Sequence, residues 1–454
     1  MSLTGKMSSD TIAAIATSHG IGSIAIVRVS GDKALDIAKK ISKRENFKPR
    51  YATLSTLFDK NSEIIDQAIV IYFQSPFSFT GEDIVEFQCH GGIVVAREIL
   101  ETVIEYGARV AEPGEFSKRA FLNGKIDLTE AEAIAKLIEA KSEDGAKILA
   151  KQLKGELKEY VEDIRESLIK ILAYAEVNID YAEEDLPEDL MTQIENQLLK
   201  IKQNLEETLS SSKRRAGLIE GFKVSIIGKP NTGKSSLLNR LLSYERAIVS
   251  EIAGTTRDTI EENVMIGTHL VRMVDTAGIR EAKDLIEKIG IERSIKAIED
   301  SDIVIAMFDA SKEKDSEDEK IIELIKKYKD KKDFIVVLNK ADLPQKFDDS
   351  ELIDFNPIKL SVKKDISKLI ERLENILNSY SKSDEILLIS KRQIDAVQNA
   401  LSSIEEALTP LKMGELEIFA YHINDAIKAI ASITRPMESA ELLDKMFGEF
   451  CLGK

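Results

Sequence analysis

Gly228-Lys229-Pro230-Asn231-Thr232-Gly233-Lys234-Ser235 has the residue types and spacing of a loop that cradles phosphates. The apolar run Val224 to Ile227 precedes it and the helical stretch Ser236 to Leu242 follows, the strand-loop-helix context such a loop needs. The glycines let backbone N–H groups face an anion, Lys234 brings a point charge to the β- and γ-phosphates, and the Ser235 hydroxyl can ligate Mg²⁺. A second strand ends at Val274 and runs into Asp275-Thr276-Ala277-Gly278, where a carboxylate can hold Mg²⁺ through water and a glycine N–H can sense the γ-phosphate.

A third strand, Phe334 to Leu338, ends in Asn339-Lys340-Ala341-Asp342. Asp342 can accept two hydrogen bonds from the N1–H and exocyclic amine of guanine, a pair of donors that adenine lacks. A carboxylate left unpaired there is costly, so GTP should be preferred over ATP by roughly 10⁴-fold or more. Leu360-Ser361-Val362-Lys363 stands where a G domain puts its last base-contacting loop, with Val362 in place of the usual Ala.

Gly254-Thr255-Thr256-Arg257-Asp258 is a polar stretch between these motifs; Thr256 is the residue expected to complete Mg²⁺ coordination when a γ-phosphate is present, which would make the stretch a switch. Ile279 follows Gly278 where Ras-like GTPases carry the glutamine that orients the attacking water, a task an isoleucine cannot perform. Glu281, Asp284 and Glu287 are candidates for it, with Arg280 or Arg257 as charge stabilisers, and spacing does not choose among them.

The elements that must position these residues follow from pattern. With 454 residues the chain has length for about three domains. Its 43% hydrophobic and 31% charged content supplies real cores. From Gly221 to Tyr380 short apolar strands alternate with helical stretches, a doubly wound parallel sheet. Thr11 to Gly124 reads as α+β, with strands such as Ser23 to Val29 and Asp83 to Cys89 between glycine-marked turns. Leu153, Leu157, Val161, Ile164, Leu168 and Ile171 form one helical stripe, and Ile194, Leu198, Ile201 and Leu205 another. Ile394, Val397, Leu401, Ile404 and Leu408, then Leu416, Phe419, Ile423, Ile427 and Ile430, give two more. The expected division is 1–124, α+β; 125–217, helical; 218–380, the G domain inserted; and 381–454, helical again.

A net charge of -16 argues against a general grip on polyanions. No apolar stretch approaches the roughly 18 residues of a membrane span, and the beginning of the chain lacks a secretory pattern, so the expected location is cytoplasmic. The two cysteines, Cys89 and Cys451, lie too far apart in sequence to suggest a disulfide framework or a Cys-rich zinc site.

The sequence resembles the TrmE-Era class of translation GTPases and, over essentially its whole length, the MnmE (TrmE) family of tRNA-modification GTPases. Carrying the resemblance are Asp10-Thr11-Ile12-Ala13-Ala14, Ile26-Val27-Arg28-Val29-Ser30-Gly31, Thr80-Gly81-Glu82-Asp83 through Cys89-His90-Gly91-Gly92, Pro113-Gly114-Glu115-Phe116, Arg119 to Lys125, and Phe450-Cys451-Leu452-Gly453-Lys454. It implies a folate-binding, homodimerising N-terminal domain. It also implies joint work with an FAD-dependent MnmG (GidA) partner in a heterotetramer, adding an aminomethyl or carboxymethylaminomethyl group at C5 of the tRNA wobble uridine. The one-carbon cofactor would be 5,10-methylenetetrahydrofolate or a 5-formyl-tetrahydrofolate analogue, and the anticodon region would be gripped together with the partner.

The resemblance further implies K⁺-dependent pairing of two G domains, the cation acting as an arginine finger does elsewhere, where it is worth about 10³–10⁵ in rate. Asn231, Ser250, Ile252 and Thr255 would be the K⁺ ligands, Ser235 and Thr256 the Mg²⁺ ligands, and Glu287 the residue orienting the water, with Lys234 and Thr256 beside it in catalysis. Guanine nucleotide would be contacted by Asn231 to Ser236 (Thr232, Gly233, Lys234 and Ser235 between them), by Ser250, Glu251, Ile252, Ala253, Gly254, Thr255 and Thr256, by Asp275, Thr276, Ala277 and Gly278, and by Asn339, Lys340, Asp342 and Ser361.

For the folate, Glu86 is the motif-matched carboxylate that could take the adjacent N–H donors of a pterin, joined by Arg28, Lys125 and Lys454. Cys451 has two readings of equal weight: a low-pKa acid or nucleophile, or a thiol filling an apolar niche on a tail anchored by Leu443, Met446, Phe447 and Phe450. Cys89-His90 reads as packing. An Era-like ribosome-assembly GTPase would need an RNA-binding Gly-x-x-Gly module after the G domain, where this chain has helical stripes. A protein that uses its GTPase only as a slow switch for binding is the rival of another class.

Overall fold

The computed structural model describes residues 10–18, 20–180, 190–244, 262–274, 287–381, 385–435, 440–448, 450 and 453. They form two compact units, Met1–Ala135 with Lys428–Lys454, and Lys136–Ile427.

The first unit is built on a sheet of β1 (Thr11–Ile15), β2 (Ile24–Ser30), β3 (Thr53–Phe58), β4 (Ile64–Phe73), β5 (Ile84–His90) and β6 (Ala108–Val110), in the order β3-β4-β5-β2-β1-β6. Neighbours run antiparallel except β1 and β6. Side chains alternate between the faces of a strand, so Ala25, Val27 and Val29 of β2 and Phe87 of β5 join one core with Ile37 and Ile41 of the helix Ala34–Ser42 and Ile99 and Val103 of the helix Ile93–Glu105. Arg28 and Glu86, in the alternate positions, belong to the opposite face, against which Phe116 packs with Ile12 and Ala14.

Phe116 comes from the helix Glu115–Leu122, and the C-terminal helix Ala440–Gly448 lies on it. Leu443 and Phe447 share a buried cluster with Leu128 and Ala131, with Met446 and Phe450 packed against it, the four anchors that the sequence pointed to. Gly114, at φ 68°, allows this approach, because a Cβ there would collide with the Phe447 carbonyl. Near the end of the tail, Gly453 sits where its missing Cβ would be 2.5 Å from the Ile15 carbonyl.

The second unit holds a sheet of β7 (Phe222–Ile227), β8 (Glu262–Ile266), β9 (His269–Met273), β10 (Ile303–Asp309), β11 (Asp333–Asn339) and β12 (Ile358–Lys359), ordered β12-β11-β10-β7-β9-β8. It is parallel except for β8, an antiparallel edge strand outside the expected set of parallel strands. Ile303, Ile305 and Met307 of β10 face a core with Leu237, Leu241, Leu369 and Leu373, whereas Val304, Ala306 and Phe308 face another with Ile298, Ile321, Ile322 and Ile325. Helices therefore cover both faces of a doubly wound sheet.

The long helices Glu156–Asp180, Leu190–Arg215 and Lys391–Met413 of the same unit pack along one another. Leu157, Val161, Leu168, Ile194, Leu198, Val397 and Ile404 are buried, while Leu153 lies in the turn before its helix rather than on the stripe. The chain passes between the helices and the sheet through anchored crossings. Arg215 Nε donates to the Tyr380 carbonyl at 2.8 Å, Ser142 Oγ to the Leu218 carbonyl at 2.7 Å, and Ser381 Oγ to Asp144 Oδ2 at 2.8 Å.

Candidate functional site

β7 delivers the chain to Gly228, whose φ of 149° and bare Cα let it pass the Met307 carbonyl, 2.5 Å from where a Cβ would be. Asn231 (φ 64°) and Gly233 (φ 108°) continue the unusual backbone, and Gly233 has no room for a side chain beside the Asn339 amide. The helix Lys234–Tyr244 then begins, so the loop's N–H groups and the helix's unpaired N-terminal N–H groups serve one location. Lys234 Nζ spans the loop, donating to the carbonyls of Gly228 at 2.6 Å and Lys229 at 2.8 Å. Burial pushes its pKa down to about 8, with Glu317 opposing. A poorly solvated ammonium of this kind gains most when a phosphate replaces the carbonyls.

Strand β11 ends against the same loop. Asn339 Nδ2 donates to the Thr232 carbonyl at 2.7 Å, and its Oδ1 accepts the Val362 N–H at 3.0 Å. Val362 thus acts here through its backbone while its side chain is buried, which is why valine can stand where alanine is usual. Lys340, at φ 64°, donates to Asp309 Oδ2 at 2.6 Å. Asp342 is exposed, and a hydrogen bond with the Ser361 side chain is the main cause that holds its carboxyl below the usual range. The structure therefore brings together Asn231, Thr232, Gly233, Lys234, Ser235, Ser236, Asn339, Lys340, Asp342 and Ser361 beyond the C-terminal ends of β7 and β11 and beside the end of β12. In a doubly wound sheet this is the ligand-binding edge.

In the first unit Arg28 and Glu86 are register partners across β2 and β5, joined by a bond from Nε to Oε1 at 2.9 Å, and the guanidinium lies 5.6 Å from the Phe116 ring centroid. Two residues along β2, Ser30 Oγ lies 2.8 Å from Thr80 Oγ1 and donates to Glu82 Oε2 at 2.7 Å. The buried Arg119 joins Glu82 to Asp10 and Glu115. Burial works against ionisation of Glu115, but Arg109, the Glu112 N–H and Arg119 outweigh it and hold the carboxyl below its ordinary value. Lys125 lies over the Gly81 turn, its Cε 3.0 Å from where a Cβ of Gly81 would be. The polar groups of this face form a track from Arg28–Glu86 to the Thr80–Glu82 loop.

A family model described as the MnmE helical domain matches residues 128–451, and one described as the GTP-binding protein TrmE N-terminus matches residues 11–125. The chain belongs to the MnmE family of tRNA modification GTPases. A tRNA modification GTPase MnmE from a Nitratiruptor species is 69% identical over 444 residues, covering 98% of each chain. Those of Sulfurimonas denitrificans and a Sulfurovum species are 64% and 62% identical, each match covering 99% of this chain and all of the relative.

Several residues that the MnmE resemblance implicates lie outside the described set: Ser250, Glu251, Ile252, Ala253, Gly254, Thr255, Thr256, Asp275, Thr276, Ala277, Gly278, Cys451 and Lys454. Glu287 opens the helix Glu287–Glu299, and its side chain too is outside that set. Cys89 fills the core of the first unit, its thiol bonded to the Ala25 carbonyl and pushed up by burial and by Asp66, as expected of a packing residue. Lys229, Asp309, Asp315 and Asp318, around the proposed nucleotide loops, are not evident from local sequence, because their pairings cross 31 to 89 residues. Only Asp315 and Asp318 gave a local signal, an acidic capping pattern before the apolar run at Ile321. Among the described residues no helix is long and apolar enough to cross a membrane.

Proposed function

We propose that this chain hydrolyses GTP under K⁺ activation and couples the cycle to tRNA. With an FAD-dependent MnmG (GidA) partner it would add an aminomethyl or carboxymethylaminomethyl group at C5 of the wobble uridine, using a tetrahydrofolate one-carbon unit. The observation that carries the nucleotide part is the Asn339 strut, which ties the phosphate loop to the base loop so that one guanine nucleotide can span both.

The residues present fit the groups this function requires. Gly228 and Gly233 let the loop pass close against the Met307 carbonyl and the Asn339 amide, Lys234 spans the loop, and Ser235 lies in the first turn of the helix, where with Thr256 its hydroxyl would hold Mg²⁺. Asn231, with Ser250, Ile252 and Thr255, would hold K⁺, and Glu287 would orient the attacking water. When bound, the two cations neutralise charge that develops on the transferring phosphoryl group. Lys234 moves from backbone carbonyls to the β- and γ-phosphates, and Asp342, steadied by Ser361, accepts from the guanine edge.

On the first unit, each Glu86 oxygen can accept two hydrogen bonds, so pairing with Arg28 through Oε1 leaves acceptor capacity for pterin N–H donors. Lys125 and Lys454 would meet the anionic end of a tetrahydrofolate, whose bound form supplies the one-carbon unit. Homodimerisation, a heterotetramer with the partner, a shared grip on the anticodon region and a cytoplasmic location complete the proposal. Reconstituted modification with partner, GTP, tRNA and folate tests it: wild-type protein should modify the wobble uridine and the Glu287→Ala protein should not. Full modification by that variant would favour a protein that needs only nucleotide binding.

A further inference from the structure

Lys229 stands second in the phosphate loop, at a position whose side chain the nucleotide chemistry above does not use. Its ammonium donates to Asp315 Oδ2 at 2.7 Å and to Asp318 Oδ2 at 2.5 Å. The Lys229–Asp318 pair is enclosed, the lysine side chain 9% exposed and that of Asp318 0%, whereas Asp315 is 54% exposed. Asp315 is the N-cap and Asp318 the third residue of the helix Ser316–Tyr328, closing a reciprocal capping box. Capping alone does not require a fully buried carboxylate. Asp318 Oδ1 has no hydrogen-bond partner among the described residues, so the Lys229 charge is what makes this burial tolerable.

The backbone of Lys229 faces the other way. Its carbonyl accepts the Thr232 hydroxyl at 3.0 Å and the Lys234 ammonium at 2.8 Å. One residue is thus tied inward to the cradle and outward to a helix of the sheet's opposite core. When a phosphate draws Lys234 away, the loop loses two internal bonds while Gly228, Asn231 and Gly233 still have to keep positive φ values. The outward tie runs to the helix Ser316–Tyr328 and would survive the exchange. Holding a strained loop in its bound shape before the ligand arrives lowers the ordering cost of binding.

We propose that Lys229, through its ion pairs with Asp315 and Asp318, is a positioning residue that holds the phosphate loop ready for the nucleotide and so sets affinity rather than the rate of hydrolysis. This rests on reading Gly228 to Ser235 as the phosphate loop, and Lys234→Ala tests that reading separately. The experiment uses the full chain, with GDP binding followed by calorimetry, GTP hydrolysis measured as kcat and KM, and a melting temperature for each variant. Lys229→Met should weaken GDP and raise the KM for GTP about tenfold, roughly 1.4 kcal/mol, with kcat within about threefold of wild type. Lys229→Arg should restore most of the loss.

Because Lys229→Met leaves Asp318 buried and unpaired, the double variant Lys229→Met/Asp318→Leu provides a neutral, foldable counterpart. It should melt near wild type and still bind GDP weakly. Wild-type affinity in Lys229→Met, a fall in kcat with affinity unchanged, or recovery of affinity in the double variant would each overturn the proposal. If wild type does not bind GDP, or Lys234→Ala binds it equally well, the phosphate-loop reading itself falls and takes the positioning role with it.

Discussion

The Asn339 side-chain amide donates to the Thr232 carbonyl at 2.7 Å, so the loop proposed to read the base and the loop proposed to hold the phosphates are joined by one side chain. Asn339 is 4% exposed and uses its other end for the Val362 N–H. Removing it would strand two buried backbone groups at about 1–3 kcal/mol each. Asn339→Ala should weaken GTP and GDP alike by at least about tenfold, whereas Asn339→Asp should do no better, because it lacks the donor that Thr232 needs. Equal binding by wild type and Asn339→Ala in a nucleotide titration would remove the strut from the account.

Asp342 should decide base identity. Two hydrogen bonds to a charged acceptor are worth roughly 1.5–3 kcal/mol apiece, so Asp342→Ala should cost on the order of 10²-fold or more in GTP affinity. ATP affinity should hardly change, and the ratio of the two dissociation constants is the readout. Ser361→Ala, which removes the partner of Asp342, should give a smaller loss in the same direction.

The strand-loop-helix framework of the proposed nucleotide site is legible because it is local: a strand, a turn of fixed residue types and a helix follow one another in the sequence. The places of Lys234 at the helix start and Asn339 at a strand end follow from their neighbours alone. The role of Lys229 does not, since it depends on Asp315 and Asp318, more than 80 residues away. Edge strand β8 was missed because Glu262 to Ile266 is short and begins with two polar residues, leaving no clear alternation to read. Leu153 keeps the spacing of the helix that follows, but Gly155, at φ 90°, places a turn between them. The tail's place beside Ile15 came from a close backbone approach at Gly453, which no periodicity encodes.

Arg28 and Glu86 should belong to a function separable from hydrolysis. Glu86→Gln removes the charge that holds Arg28 and that would bind the pterin, and it should lower tetrahydrofolate affinity by at least about tenfold. K⁺-stimulated GTP hydrolysis should stay within about twofold, since the change is local to one sheet face. Loss of both activities together in this variant, at an unchanged melting temperature, would contradict the assignment.

The Glu115 network predicts an acid-dependent stability. Its carboxyl is held below its ordinary value in the folded chain, so its contribution is fully present above the unfolded pKa, about 4.3, and disappears as pH falls through the lower folded value. Wild type should therefore melt above Glu115→Gln at pH 7, with the gap narrowing only below about pH 4. A gap that instead closes on raising the pH from 5 to 8 would contradict the sign.

A GTP-specific, K⁺-activated hydrolase is tested most directly by phosphate release from GTP in KCl and in NaCl at matched ionic strength, with ATP as the control. Stimulation should be marked in KCl, small in NaCl, absent with ATP, and lost in Asn231→Ala. Equal rates in the two salts would contradict the cation mechanism, leaving an ordinary nucleotide switch.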